Sequence, residues 1–269
     1  MEYRLIALDI DGTLTNSNKE ISKPTLEALL DIQERGYTVV IATGRPTAGA
    51  RDLADELQLG KYGSYVLSFN GGLITNWRTK DIIYRQTLPK DVIPELHTFA
   101  VENGAGIITY ENDTIIAGTE INQYMQLEAN ITKMEIKRVD NFKEYVDFPV
   151  VKCLMSGAPE LMEQLEQKLK KKYKSLLNIF RSEPFFLEIM PNNIDKAQSL
   201  LRLLTSLGLS SEQMICCGDG FNDISMIEVA GLGVAMENAV LPVRKAADYI
   251  TASNNDDGVG LVVEKFMLA

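Results

Sequence analysis

Two pairs of aspartates follow apolar runs in this 269-residue sequence. Asp9 and Asp11 lie at the end of the run Arg4–Ile10, just before Gly12 and Thr13. Asp219 and Asp223 follow the run Met214–Cys217. A carboxylate can attack phosphorus and carry the phosphoryl group as an acyl phosphate. A neighbouring carboxyl can give its proton to the leaving oxygen and later take one from water. That second task needs a raised pKa, which nearby carboxylates supply. Gly12 lets the backbone turn sharply and approach a ligand. Gathered in one cleft, these aspartates oppose each other's ionisation at separations of ~4–6 Å. A divalent cation removes the conflict, and an all-oxygen site without histidine suits a hard ion such as Mg²⁺. Bound metal would attract phosphate, Thr43 and nearby amides would hold phosphoryl oxygens, and Lys196 would neutralise charge developing in the transition state.

For these residues to meet, the chain must bring distant strand ends to one edge. Arg4–Ile10, Tyr37–Ala42 and Tyr65–Phe69 read as strands, with helical patterns between them from Ser22 to Gly36 and over Thr47–Gln58. Strand–helix alternation predicts a parallel, doubly wound α/β (Rossmann-like) sheet. In such a sheet ligands bind beyond the carboxyl ends of the strands. Asp9 and Asp11, Thr43, Asn70, and Asp219 with Asp223 all fall at that edge. The rhythm then changes. Short strands at Ile82–Arg85, Gly106–Tyr110, Thr114–Ala117, Val150–Ser156, Asn178–Arg181 and Phe185–Ile189, with helices near Lys90–Asn103 and Pro159–Tyr173, predict an α+β insert. The expected division is a core of residues 1–81 and 191–269 and an inserted domain of residues 82–190. The first rhythm resumes with a helix over Lys196–Leu207, whose Leu200, Leu203, Leu204 and Leu207 share one stripe.

Composition narrows the function. With 27 basic against 37 acidic residues the formal charge is −10, which disfavours nucleic acid as a partner. No run approaches the ~20 apolar residues of a spanning helix, so no membrane partner is expected. The apolar run after Met1-Glu2-Tyr3-Arg4 is too short for a signal peptide, and a cytoplasmic location is expected. Cys153, Cys216 and Cys217 are odd in number and read as buried reduced thiols. The single histidine, His97, lies in an amphipathic helical pattern and removes histidine triads and histidine-rich zinc sites from consideration. The lysine cluster from Lys168 to Lys174 reads as a solvated helix end.

Asp9-Ile10-Asp11-Gly12-Thr13-Leu14 resembles the first motif of the haloacid dehalogenase superfamily. Thr43-Gly44-Arg45 resembles its second motif, Lys196 its third, and Gly218-Asp219-Gly220-Phe221-Asn222-Asp223 its fourth. Their order, with a long insert between the second and third, is similar to that of the Cof-type phosphatases, in which the insert is an α+β cap. The resemblance spans the chain. It implies a Mg²⁺-dependent hydrolase of small phosphorylated metabolites, such as sugar phosphates, acting through an aspartyl phosphate. It makes Asp9 the nucleophile and a metal ligand, and Asp11 the acid/base whose carbonyl also binds metal. Asp219 becomes a metal ligand, and Asp223 one that acts directly or through water. Thr43 and Lys196 would bind phosphate. Ile10, Gly12, Gly44, Arg45, Asn70 and Asn222 are expected at the phosphate or substrate. The third motif departs from the family pattern in Ile194-Asp195-Lys196-Ala197, where Asp195 either caps the helix or pairs with Lys196.

Two other readings share these residues. A sugar phosphomutase would move the phosphoryl group within one sugar. A phospho-acceptor signalling module would keep it on Asp9. An ion-pumping ATPase needs membrane spans that the sequence lacks. Linkers near 79–84 and 189–192 predict hinge closure of the cap during turnover. The expected assembly is a monomer or weak homo-oligomer.

Overall fold

The computed structural model describes residues 3–268, so Met1 and Glu2 of the leader reading, and Ala269, lie outside the described residues. Strands β1 (Leu5–Leu8), β2 (Thr38–Ala42), β3 (Tyr65–Ser68), β4 (Leu73–Asn76) and β5 (Ile82–Arg85) come first in the chain. They are followed by β6 (Gly106–Glu111), β7 (Thr114–Ala117), β8 (Glu135–Arg138), β9 (Cys153–Ser156), β10 (Leu177–Glu183) and β11 (Phe186–Pro191). Strands β12 (Met214–Gly218), β13 (Leu232–Ala235) and β14 (Tyr249–Ile250) close the series. The chain divides into two compact units, one of residues up to Gly44, Ala50–Tyr84 and Asp195 onward, the other of Arg45–Gly49 and Arg85–Ile194.

The first unit is α/β. Its sheet runs β14-β13-β12-β1-β2-β3-β4-β5. The pairs from β14 to β3 are parallel, whereas β4 turns back antiparallel on β3. The sheet is therefore mixed rather than wholly parallel. All four residues of β1 are buried, as expected of a strand covered on both faces. Alternation sorts its side chains. Ile6 and Leu8 join Val39, Ile41, Ile215 and Cys217 against helix Lys23–Glu34 and the C-terminal helix Gly258–Phe266. Leu5 and Ala7 join Val40, Ala42 and Cys216 against Leu200, Leu203 and Leu204 of helix Lys196–Leu207.

Three differences from the sequence reading concern this unit. Ile82–Arg85 is the edge strand of this sheet, not the first strand of the insert. The stretch read as one helix over Thr47–Gln58 is a 3₁₀ turn, Thr47–Ala50, followed by helix Arg51–Glu56, and Arg45–Gly49 groups with the second unit. Strand β4 was not expected, because its Leu73-Ile74-Thr75-Asn76 is too short to show a period.

The second unit is α+β, with a six-stranded sheet in the order β10-β11-β9-β6-β7-β8. Its pairs are antiparallel except β7 with β8. Ile107 and Met155 lie on the face covered by helices Val92–Glu102 and Pro159–Tyr173, and Ile108 and Leu154 on the face covered by helix Gln123–Thr132. That last helix and β8 were absent from the sequence reading. β8, Glu135-Ile136-Lys137-Arg138, is a charged edge strand, the composition that blunts an edge and hides a strand. β11 extends to Pro191 in register with Leu177, which carries the second unit past residue 190.

Candidate active site

The C-terminal ends of β1, β2, β3 and β12 in the first unit carry the residues singled out above. Asp9 follows β1, and its amide donates to the carbonyl of Cys217 on β12 (3.1 Å), so the two acidic loops start side by side. The chain then turns. The Ile10 carbonyl accepts from the Thr15 amide (3.0 Å) and the Thr15 hydroxyl (2.9 Å). Gly12 has φ +81°, and a Cβ there would stand 2.3 Å from Asp219 Oδ2. Only glycine lets the first loop approach that carboxylate so closely.

Lys196 opens its helix fully buried. Its Nζ donates to Asp9 Oδ1 at 2.5 Å and to Asp223 Oδ1 at 2.6 Å. Asp195 caps the helix, accepting from the Gln198 amide (2.8 Å), which settles the choice left open for that residue in favour of the cap. Asp223 is buried, and its Oδ2 accepts from the amides of Asp219 (3.0 Å) and Gly220 (2.9 Å). Its fold back onto the strand needs Gly218, where a Cβ would meet Asp223 Cβ at 2.4 Å. Asp223 thus anchors both the Asp219 loop and the lysine. Asp219 Oδ1 accepts from the Thr13 hydroxyl at 2.9 Å.

The electrostatics follow from one ammonium among several carboxylates. One carboxylate oxygen each from Asp9, Asp219 and Asp223 lie within 4.8 Å of one another. Burial, then the charge of Asp223, pushes the Asp9 pKa up to about 7 against the opposing pull of Lys196. Burial pushes Asp219 up to about 6, while the Thr13 hydrogen bond opposes it. Burial disfavours the charge on Lys196, but Asp9 and Asp223 together outweigh it and hold its pKa above the ordinary lysine value. Oxygen donors with surplus negative charge fit a hard divalent cation. Asp9 and Asp219 would hold such an ion, with Asp223 already engaged behind them by Lys196 and two amides.

The expected gathering of four aspartates is only partly met. The Asp11 carboxylate is not in this cluster and is ion-paired with Lys19 at 2.8 Å, both side chains well exposed. Thr43 is buried; its amide donates to the Leu67 carbonyl (2.8 Å) and its carbonyl accepts from the Asn70 amide (2.9 Å). Asn70 takes up a left-handed conformation, φ +53°, beside Gly44, and its Oδ1 accepts from Asn222 Nδ2 at 3.0 Å. Ser199, one turn along the Lys196 helix, donates to the Gly71 carbonyl at 2.7 Å and ties this turn to the lysine. Arg45 falls in the second unit and donates to the Gly49 carbonyl at 3.0 Å. Thr13 and Lys19 escaped the sequence reading as members of the site. Thr13 sits inside the first motif with no separate mark of its own, and nothing local to Lys19 marks its partner.

The chain is similar to known proteins along nearly its whole length. A family model described as haloacid dehalogenase-like hydrolase matches residues 6–263. A crystal structure of a haloacid dehalogenase-like hydrolase from Bacteroides thetaiotaomicron superimposes with a TM-score of 0.95 at 46% identity, covering 98% of this chain and 99% of that one. A sugar phosphatase of subclass IIB of the same superfamily gives 0.82 at 26% identity over 99% and 100% of the two chains. A 5-amino-6-(5-phospho-D-ribitylamino)uracil phosphatase of Bacillus subtilis (strain 168) is 32% identical over 100% of this chain and 97% of its own.

Proposed function

Because this chain belongs to the haloacid dehalogenase-like hydrolase family, we propose that it is a Mg²⁺-dependent phosphatase of small phosphorylated metabolites, sugar or polyol phosphates among them. The observation that carries the reading is Asp9 held by the buried Lys196 in a cluster with Asp219 and Asp223 at the ends of parallel strands. Such a lysine fixes the carboxylate and offers positive charge where the phosphoryl oxygens gain negative charge. Similarity to a sugar phosphatase and to a phosphatase of a ribityl phosphate supports the substrate class. Among the described residues, no helix is long and apolar enough to cross a membrane.

The chemistry assigned to the residues is a double displacement. An Asp9 oxygen attacks phosphorus, and the bond from phosphorus to the leaving oxygen breaks. Protonated Asp11 gives its proton to that oxygen, releasing an alcohol and leaving an acyl phosphate on Asp9. Asp11, now a carboxylate, takes a proton from water, whose oxygen attacks the same phosphorus. The Asp9–phosphoryl bond breaks and inorganic phosphate departs. For the first half, Asp11 must leave Lys19, its partner in the structure. Asp9 and Asp219 would hold Mg²⁺, which would neutralise charge on the phosphoryl oxygens. Thr43, Asn70 and Asn222 are proposed to bind and orient the phosphate, with Lys196 opposite.

Asp9→Asn tests this directly. Hydrolysis of p-nitrophenyl phosphate with Mg²⁺ is expected to fall by at least ~10³-fold, as for loss of a covalent nucleophile. The fold should persist, because a near-isosteric amide replaces a carboxylate with a raised pKa. Undiminished turnover by Asp9→Asn would end the proposal, as would wild-type turnover unaffected by a chelator.

A further inference from the structure

The acidic loops at Asp9 and Asp219 are joined by a segment that none of the motifs includes. Residues 236–240 leave β13 and touch both loops. The Met236 amide donates to the Gly218 carbonyl (3.2 Å), and the Val240 amide donates to the Asp219 carbonyl (3.1 Å). Between them, Asn238 Nδ2 donates to the carbonyl of Gly12 at 2.8 Å. The Asn238 amide group is itself oriented, because its Oδ1 accepts from the Asn254 amide at 3.0 Å. Asn254 Nδ2 in turn donates to the Thr15 carbonyl at 2.8 Å. Farther along, the Ser17 amide donates to Asn255 Oδ1 at 2.9 Å.

We infer that Asn238 is a positioning residue that sets the separation of the Asp9 and Asp219 loops, and so tunes both metal binding and turnover. This rests on the phosphatase reading only for its turnover component. The Gly12 carbonyl belongs to the rigid peptide plane that leads into Thr13. Holding that oxygen fixes the plane. On one side of it the Gly12 Cα faces the Asp219 carboxylate, and on the other the Thr13 hydroxyl reaches Asp219 Oδ1. Main-chain bonds fasten residues 236–240 to the Asp219 loop, so Asn238 is the side-chain tie from that segment to the first loop. Loss of its Nδ2 leaves that plane held only by the long bond from the Thr13 amide to the Ile10 carbonyl (3.4 Å), so that the plane can tilt and the two acidic loops can drift apart. A displacement of about 1 Å can cost a site of this kind ~10²-fold in rate. Asn255 pulls on the same chain, but at Ser17, beyond the residues that face Asp219.

The test compares Asn238→Ala with Asn255→Ala in the full chain. Two quantities are read: kcat with p-nitrophenyl phosphate, and the Mg²⁺ concentration giving half of the metal-induced rise in melting temperature. Asn238→Ala is expected to lower kcat about tenfold or more and to raise the half-effective Mg²⁺ at least fivefold, with KM for the ester within threefold. Asn255→Ala should leave both within twofold. If Asn238→Ala does not fold, Asn238→Ser, whose hydroxyl is too short to reach Gly12, is read in its place. Two results would overturn the inference: Mg²⁺ response and kcat both within twofold of wild type for the Asn238 variant, or equal losses in the Asn255 variant. A wild type that binds Mg²⁺ but hydrolyses nothing, beside an Asn238 variant with weakened Mg²⁺ response, would defeat the phosphatase reading and sustain the brace.

Discussion

Each unit of the molecule buries a lysine against carboxylates, and the two do so with different charge balance. In the first, Lys196 is fully buried between Asp9 and Asp223, with Asp219 close by. In the second, Lys152 has a side chain 4% exposed and pairs with Glu188 at 3.0 Å. There the remaining polar groups are matched. Ser182 donates to Glu188 (3.0 Å), and the Tyr110 hydroxyl, its pKa pushed well up by burial, donates to Glu128 (2.6 Å). Lys152 and Glu188 form a buried pair of opposite charges, and Glu128 beside them is held by a hydroxyl, at a desolvation cost that the geometry must offset. Around Lys196 three carboxylates share one ammonium; burial first, and the neighbouring negative charge after it, raise the pKa values of Asp9 and Asp219. Buried charge alone therefore does not single out a site; the larger carboxylate surplus around Lys196 is what supports placing the proposed chemistry there.

The sharpest way to break that contrast is to remove each lysine in turn. Lys196→Met leaves two buried carboxylates without their ammonium and the phosphoryl group without its counter-charge. We expect turnover of p-nitrophenyl phosphate to fall by at least ~10³-fold, with a stability loss on the order of 3–5 kcal/mol in the absence of metal. Lys152→Met should cost about 3 kcal/mol of stability by stranding Glu188, while kcat stays within about fivefold. Thermal melts and steady-state assays on both variants decide it. Equal losses of turnover would show that the balanced pair belongs to the chemistry as well.

The sequence displayed one side of this contrast far better than the other. The buried strands of the first unit show themselves as continuous apolar runs, Leu5–Leu8 and Val39–Ala42, because both faces are covered. Aspartates beyond such runs then point to a common edge by topology alone. Orientation was hidden. Spacing places Asp223 near Asp219, but nothing in it says that the Asp223 carboxylate turns inward onto two amides and a lysine. Nor does it say that Asp11 turns to Lys19. Asn238 and Gly12 meet across 226 positions, and Lys152, just before β9, meets Glu188 on β11, so neither pairing has a local signature. In the second unit, charged β8 and the short helical stripe of Gln123–Thr132 lacked the apolar period that would announce them.

A smaller effect separates the two lysine sites by pH. Asp9 and Asp219 have folded-state pKa values of about 7 and about 6, above the ordinary 3.8. Between pH 4 and 7 the metal-free folded protein therefore holds protons that the unfolded chain has released. The stability from these groups is complete below the ordinary value and is lost as pH rises through the folded values. Metal-free protein should lose on the order of 4 kcal/mol across that window, most of it from buried Asp9. Asp219→Asn should flatten the lower part of the curve. Mg²⁺ competes with the protons, so the rise in melting temperature that it induces should be larger at pH 8 than at pH 5. A rise of equal size at both values would mean that the cation does not bind these carboxylates.

The smallest predicted effect probes single donors on each side. Thr13→Val keeps the shape of the side chain and removes the hydroxyl that donates to Asp219 Oδ1. One hydrogen bond to a carboxylate contributes about 1.5 kcal/mol, so the Mg²⁺ concentration for half-maximal turnover should rise roughly tenfold. The Asp219 pKa should climb further, since the hydroxyl favours the charged form. Ser182→Ala removes the corresponding donor from Glu188 in the second unit. Because Lys152 already balances that carboxylate, the Mg²⁺ requirement should not move, and only a modest drop in melting temperature is expected. A Mg²⁺ titration that shifts for Ser182→Ala and stays still for Thr13→Val would reverse the assignment of which buried charge is left out of balance.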